Sequence, residues 1–213
     1  MDAITLFLNH LTKDERKLME SLDSPFKIQS FLDTVEYPGG EGNRSPIEVI
    51  RLRKAHCFDG GLFASAALRL LGFKPQIVDL LPDPGKDDDH ILALFKVANH
   101  WGSVAKSNFS GLRFREPIHR TLRELVMTYF EDFFNIKGEK TFRSYSRVVN
   151  LTRFDRLNWM TDVNGLNAIE KHLYQLKPIP LITPEQANYL SLVDKRSFDA
   201  GTIGLNYKGV YKP

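Results

Sequence analysis

The sequence predicts an α+β fold on three observations. Over the first third of the chain, apolar residues recur at helical spacing. After Gly72 the pattern changes to short apolar runs at residues 76–81 and 90–97, which read as strands. Ala98-Asn99-His100 then forms a tight turn into a third run, 101–107, antiparallel to the second.

The elements follow in order. Residues 2–35 are expected to be helical. Thr12-Lys13-Asp14-Glu15 reads as an N-cap with acids in the first turn, and Leu18, Met19 and Leu22 follow at helical spacing. Pro25 ends that segment, and a third piece carries Ile28, Phe31 and Leu32 on one face. Pro38, Gly39, Gly40 and Gly42 mark a loop. Ser45 and Pro46 are the N-cap and first residue of the next helix. After Cys57 a strongly patterned helix runs to Leu71, with Leu62, Phe63, Ala66 and Leu70 as its stripe and Gly72 as its C-cap. Between the two strands lies a polar loop with Pro82, Pro84, Gly85 and Asp83, Asp87, Asp88 and Asp89. Pro117 is expected to open a helix reaching Phe134, with Leu122, Leu125, Val126, Tyr129 and Phe133 on its apolar face. Arg143 to Ser146 reads as extended, 165–176 as helical, and the Pro- and Gly-containing tail as irregular. The expected organisation is one domain over 1–213: N-terminal helices (1–45), a core (46–110), then a helix and C-terminal wrap (111–213).

The bulk composition bounds the function. The chain has 213 residues, 42% hydrophobic and 26% charged, with a formal net charge of +3. Those values are ordinary for a globular domain, and the charge is too weak to imply nucleic acid. The lone cysteine, Cys57, excludes an internal disulfide and a cysteine-rich zinc site. His10, His100, His119 and His172 lack metal-ligand spacing, so neither metal nor cofactor is expected. Residues 1–10 lack the basic start and long apolar core of a signal peptide, and no run approaches a membrane span. The expectation is a cytoplasmic protein.

Cys57 is the first candidate for chemistry. It begins a long helix, whose partial positive charge and free N–H groups favour a thiolate and could stabilise an oxyanion. Free cysteines are also often buried and inert. His90 is the second candidate. It opens a strand after the acidic loop, from which it is expected to reach a neighbouring helix end and act as general base. A turn centred on Asn99 pairs Val97 with Trp101 and His90 with Asn108, so Asn108 could orient the imidazole. A turn centred half a residue earlier puts Ser107 there instead. His56 is adjacent to Cys57 but points elsewhere on a helix, which makes it a poor base.

These residues carry a resemblance. Ala55-His56-Cys57, Gly60-Gly61-Leu62-Phe63-Ala64 and Leu68-Arg69-Leu70-Leu71-Gly72-Phe73, then the strand at Pro75-Gln76-Ile77-Val78, His90 and Trp101, resemble the transglutaminase-like superfamily over residues 46–110. The resemblance implies a papain-like core, a helix packed on an antiparallel sheet, and a cysteine–histidine pair. Members of that family are proteases, amidases, acyltransferases or inactive scaffolds. Where the family usually has an aspartate, four residues after the tryptophan, Ala105 stands here, followed by Lys106-Ser107-Asn108. Where it often has Trp or Phe two residues after the histidine, Leu92 stands. The third member is then Asn108, Ser107 or absent.

Three functions remain. The first is acyl transfer or hydrolysis, with Cys57 attacking an amide, ester or thioester, His90 as base and Asn108 orienting it. The second is an inactive scaffold whose cleft binds a peptide or protein, which the loss of aspartate at Ala105 favours. The third is an anion- or nucleic-acid-binding module using Arg113, Arg115, Arg120, Arg123, Arg143, Arg147, Arg153 and Arg156. The acids interleaved with those arginines favour internal ion pairs. The expected partner is a peptide, protein or small acyl substrate, with neither a membrane nor nucleic acid.

Overall fold

A computed structural model describes residues 2–40 and 42–212. The chain begins with four helices: α1 (Ala3–His10), α2 (Lys13–Ser21), α3 (Pro25–Asp33) and α4 (Pro46–Leu52). The long helix α5 (Cys57–Leu70) follows, then the strands β1 (Gln76–Pro82), β2 (His90–Val97), β3 (His100–Val104) and β4 (Arg115–His119). A short helix α6 (Leu122–Met127) leads to β5 (Phe142–Tyr145) and β6 (Val149–Asn150). A 3-10 segment (Leu151–Leu157) and α7 (Val163–Tyr174) come next. The chain closes with β7 (Ile179–Pro180), α8 (Pro184–Asn188) and α9 (Lys195–Gly201).

Several starts are set by local chemistry. Thr12 and Glu15 form a reciprocal capping box at α2, and Ser45 precedes Pro46 at the first position of α4. The sheet is antiparallel in the order β4-β3-β2-β1-β5-β7, with β6 pairing on β1. It is apolar on both faces. Ile77, Ile91, Ala93, Phe95 and Val104 join one core with α5 and the N-terminal helices. Val78, Leu80, Leu92, Leu94 and Ala105 join another with Leu125, Tyr129, Phe133 and Phe142. The fold is therefore mixed helix and sheet, with the sheet sandwiched between two unlike layers.

Helix α5 lies very close to β2. A methyl group at Gly61 would stand 2.5 Å from Ile91 Cγ2, so only glycine permits this approach. Behind Gly60 runs buried Lys106, whose ammonium donates to the main-chain carbonyls of Leu32 (2.9 Å) and Val35 at the C-terminal end of α3. Burial pulls the Lys106 amine down to about 8.

Three expectations are corrected. Pro117 lies in the strand β4, not in a helix, and the helix begins only after the Thr121 cap. Because β4 is the edge of the sheet, proline's missing N–H costs no ladder bond there. The β2–β3 turn is two residues, with Ala98 and Asn99 both at positive φ (47° and 65°). This pairs Val97 with His100, the register of the alternative turn centred half a residue earlier, but the ladder ends at Ala93–Val104. Neither Asn108 nor Ser107 faces His90 across it. The tail is more regular than its prolines suggest: Thr183 caps α8 ahead of Pro184, and Asp194 caps α9. No helix among the described residues is long and apolar enough to cross a membrane.

Candidate functional site

Cys57 does begin a helix, with His56 in extended conformation as the capping residue. The first turn of α5 is anchored by Asp59, whose side chain is fully buried. Asp59 accepts from the Arg44 main-chain N–H (2.8 Å), the Arg44 guanidinium (3.2 Å) and the His56 N–H (3.1 Å). The carboxylate thus sits where the helix macrodipole favours negative charge, leaving less of that field for the thiol.

The thiol is turned toward the start of β2. Its Sγ lies 3.5 Å from the Asp89 carbonyl oxygen, to which the S–H donates. Burial pushes the thiol well above its usual range, and the charges of Asp89, Asp79 and Asp88 push it further. The Ile91 main-chain N–H opposes them. That direction favours the protonated thiol over the thiolate that nucleophilic chemistry requires.

His90 is not brought to Cys57. Successive strand residues face opposite sides of a sheet, and Ile91 is the residue packed on α5. The His90 ring therefore lies on the far side, 6.4 Å from the rings of Tyr129 and Phe133. Its Nε2 donates to the Leu112 carbonyl at 2.7 Å. Burial pulls the ring down to about 4, so it is neutral and committed to a structural bond. Asn108 does not orient it. The Asn108 amide donates to the carbonyls of Asn206 (2.9 Å) and Gly209 (3.3 Å), and its oxygen accepts from the Asn206 N–H (2.8 Å). Ser107 caps its own turn by accepting from the Phe109 N–H.

The structure instead gathers acids around Cys57. A cavity of about 360 Å³ is lined by Cys57, His56, Tyr37, Asp88, Asp89 and Glu170, with Tyr174 and the C-terminal residues 208–210 completing its wall. Burial, then the charges of Asp88 and Glu170, push the Asp89 carboxyl up to about 6. Asp79 shares the α5 side of the sheet with Ile77, is 2% exposed, and has one carboxyl oxygen buried without a hydrogen-bond partner. Burial and the charge of Asp89 raise it well above the carboxylate range. The Tyr37 and Tyr174 phenols are raised too, by burial first and then by charges that include these acids.

No protein-family model matches this chain, and no curated protein matches it in sequence.

Among the described residues, no group of three or more His, Cys, Asp or Glu side chains is arranged to hold a metal ion. Four of the eight arginines that would suit an anion are engaged with acids or carbonyls within the molecule. Arg113 pairs with Asp33 (3.1 Å), Arg115 with Asp132 (3.1 Å) and Arg143 with Asp83 (3.4 Å), while Arg123 donates to the Leu181 carbonyl.

Sequence reasoning passed over Asp79, Asp88, Asp89, Glu170 and the C-terminal wall. A signal existed for Asp79, an acid inside an otherwise apolar strand. None existed for Glu170 or residues 208–210, which are distant in sequence from Cys57.

Proposed function

We propose that the chain is a transglutaminase-like scaffold without cysteine catalysis, whose Cys57 cavity binds a cationic stretch of a peptide or protein. The observation that carries this reading is the cavity itself. Cys57, whose thiol burial holds toward the protonated form, lines it together with Asp88, Asp89 and Glu170. Carboxylates converging on a partly enclosed space favour an ammonium or guanidinium group there, since low local polarity strengthens the attraction. The half-buried Tyr37 ring, edge-on to His56 at 5.5 Å, supplies an aromatic wall of the kind that accepts alkyl stems and cations.

The test is fluorescence anisotropy with labelled peptides rich in lysine and arginine, against peptides rich in glutamate. Basic peptides are expected to bind, more weakly as salt rises. Affinity should fall about tenfold in the double variant Asp88→Asn, Glu170→Gln, the loss of one or two charge-assisted contacts. Cys57→Ala should bind as the wild type does. Equal affinity for acidic and basic peptides refutes the reading.

A second reading, cysteine-dependent acyl transfer, keeps one observation in its favour: Sγ lines the cavity at a helix N-terminus, with the Ile91 N–H directed at it. That reading requires a base other than His90. Turnover of an activated ester or anilide that disappears in Cys57→Ser would place it ahead.

A further inference from the structure

Residues 202–212 contribute no fully buried side chain to either core and are fastened mainly by side-chain hydrogen bonds. Upstream, α9 is anchored: Ser110 donates through N–H and hydroxyl to the Gly201 and Ala200 carbonyls, and buried Gly201 lies against the Phe134 ring. Beyond it Ile203 (73% exposed) and Tyr207 (71%) face outward, while Leu205, Val210 and Tyr211 are half-buried. Gly204 takes positive φ (75°), a turn that redirects the chain. What fastens the segment is the Asn108 amide on both sides of Asn206 and on the Gly209 carbonyl, with Asn206 Nδ2 donating to the Tyr37 carbonyl at 2.8 Å.

The same segment walls three separate cavities. Residues 208–210 line the Cys57 cavity. Residues 209–211 line a pocket of about 40 Å³ with His90 and Ser107. Residues 203, 204 and 206 line a third, of about 560 Å³, with Lys106 and Ser107. Tyr37 borders all three.

We propose that residues 202–212 form a strap, clipped shut by Asn108, that divides one continuous groove into three compartments and lifts as a unit from the Cys57 cavity. Lifting joins the acidic cavity to the pockets beside His90 and Lys106, giving a groove long enough for an extended peptide. This assigns Asn108 the role of a latch. It also gives the cavity of the proposed function a regulated entrance, and it rests on that reading only for the identity of what enters. The bonds that hold the strap are part-buried and few, and none of residues 202–212 is fully buried, which is the profile of a segment that opens locally.

The experiment measures the rate at which Cys57, the only thiol, reacts with a bulky iodoacetamide dye at fixed pH. Asn108→Ala removes the latch. Gly209→Ala attacks the strap from the other side, because its methyl group would stand 2.6 Å from the Pro38 carbonyl oxygen and 2.9 Å from the Tyr37 ring. Both variants are expected to react at least tenfold faster than the wild type while melting cooperatively. Asn108→Asp, which keeps the acceptor and loses the donor, should fall between. Wild-type rates in folded variants overturn the strap. Should either variant fail to fold, hydrogen exchange on the wild-type protein decides. The Asn206 and Gly209 amides must exchange together and much faster than those of β2, and exchange as slow as the sheet's overturns the proposal. No ligand is used, so a gated thiol with no basic-peptide binding would sink the proposed function and leave the strap standing.

Discussion

Replacing Asp89 with asparagine should stabilise this protein at neutral pH. The Asp89 carboxyl is raised from 3.8 to about 6 by burial, then by Asp88 and Glu170. Each tenfold change in proton affinity between the folded and unfolded states corresponds to about 1.4 kcal/mol. At pH 7 the native state therefore carries a cost of about 3 kcal/mol for keeping this group ionised. Water reaches part of the side chain, so the working figure is about 1–2 kcal/mol. Between 3.8 and about 6 the native state holds more protons than the unfolded chain, so this contribution lowers stability as pH rises through that window. The cost is fully developed above about 6 and absent below 3.8. An amide carries no such cost. Urea unfolding of wild type and Asp89→Asn at pH 7 and pH 4 is the assay. The variant should be more stable by about 1–2 kcal/mol at pH 7 and nearly equal at pH 4. Equal stability at pH 7, or a difference that persists at pH 4, would mean that the acids around Cys57 are better solvated or paired than the geometry implies. The same result would weaken the cation-binding reading, because an unstrained carboxylate exerts no such demand.

The other predictions concern the same neighbourhood. Cys57 alkylation by iodoacetamide should show a midpoint above 9 and be unmoved by His90→Ala; a midpoint near neutrality that shifts with His90 would restore the catalytic pair. Asp59→Ala strands the Arg44 guanidinium and uncaps α5, and should cost about 3 kcal/mol or more by urea unfolding. Gly61→Ala drives a methyl group into Ile91, which cannot retreat within a central strand, and should cost about 2 kcal/mol. Lys106→Met takes the ammonium from the Val35 carbonyl and one donor from the Leu32 carbonyl, which keeps the Val35 N–H, for a loss of about 2 kcal/mol at pH 7. Because the native Lys106 amine sits at about 8 against 10.5 when free, the wild type should gain on this variant as pH rises between those values. A pH-independent difference would refute that placement.

Local signals in the chain identified most of the elements that frame the site. The Thr12 N-cap, Ser45-Pro46, the small residues of α5 and the runs that become β1 and β2 each depend on neighbours a few residues away, so they were legible. The placement of Cys57 at a helix start was legible for the same reason. The side to which His90 points was not. A half-buried strand reveals its faces by alternating apolar and polar residues, but β2 is buried on both: Ile91, Ala93 and Phe95 serve one core, Leu92 and Leu94 the other. The register of the hairpin turned on half a residue at Ala98-Asn99, which only the positive φ of both residues resolves. Asn108 is the sharpest case. Its partners are Asn206 and Gly209, about a hundred residues away, and no local pattern announces a contact of that range. The sequence by itself determined the helices up to α5, the runs of β1 and β2 and the helix-start cysteine, because short-range capping and periodicity carry that information. Tertiary structure alone decided that Cys57 meets acids instead of His90, because it decides which sheet face turns toward which helix and where the end of the chain comes to rest.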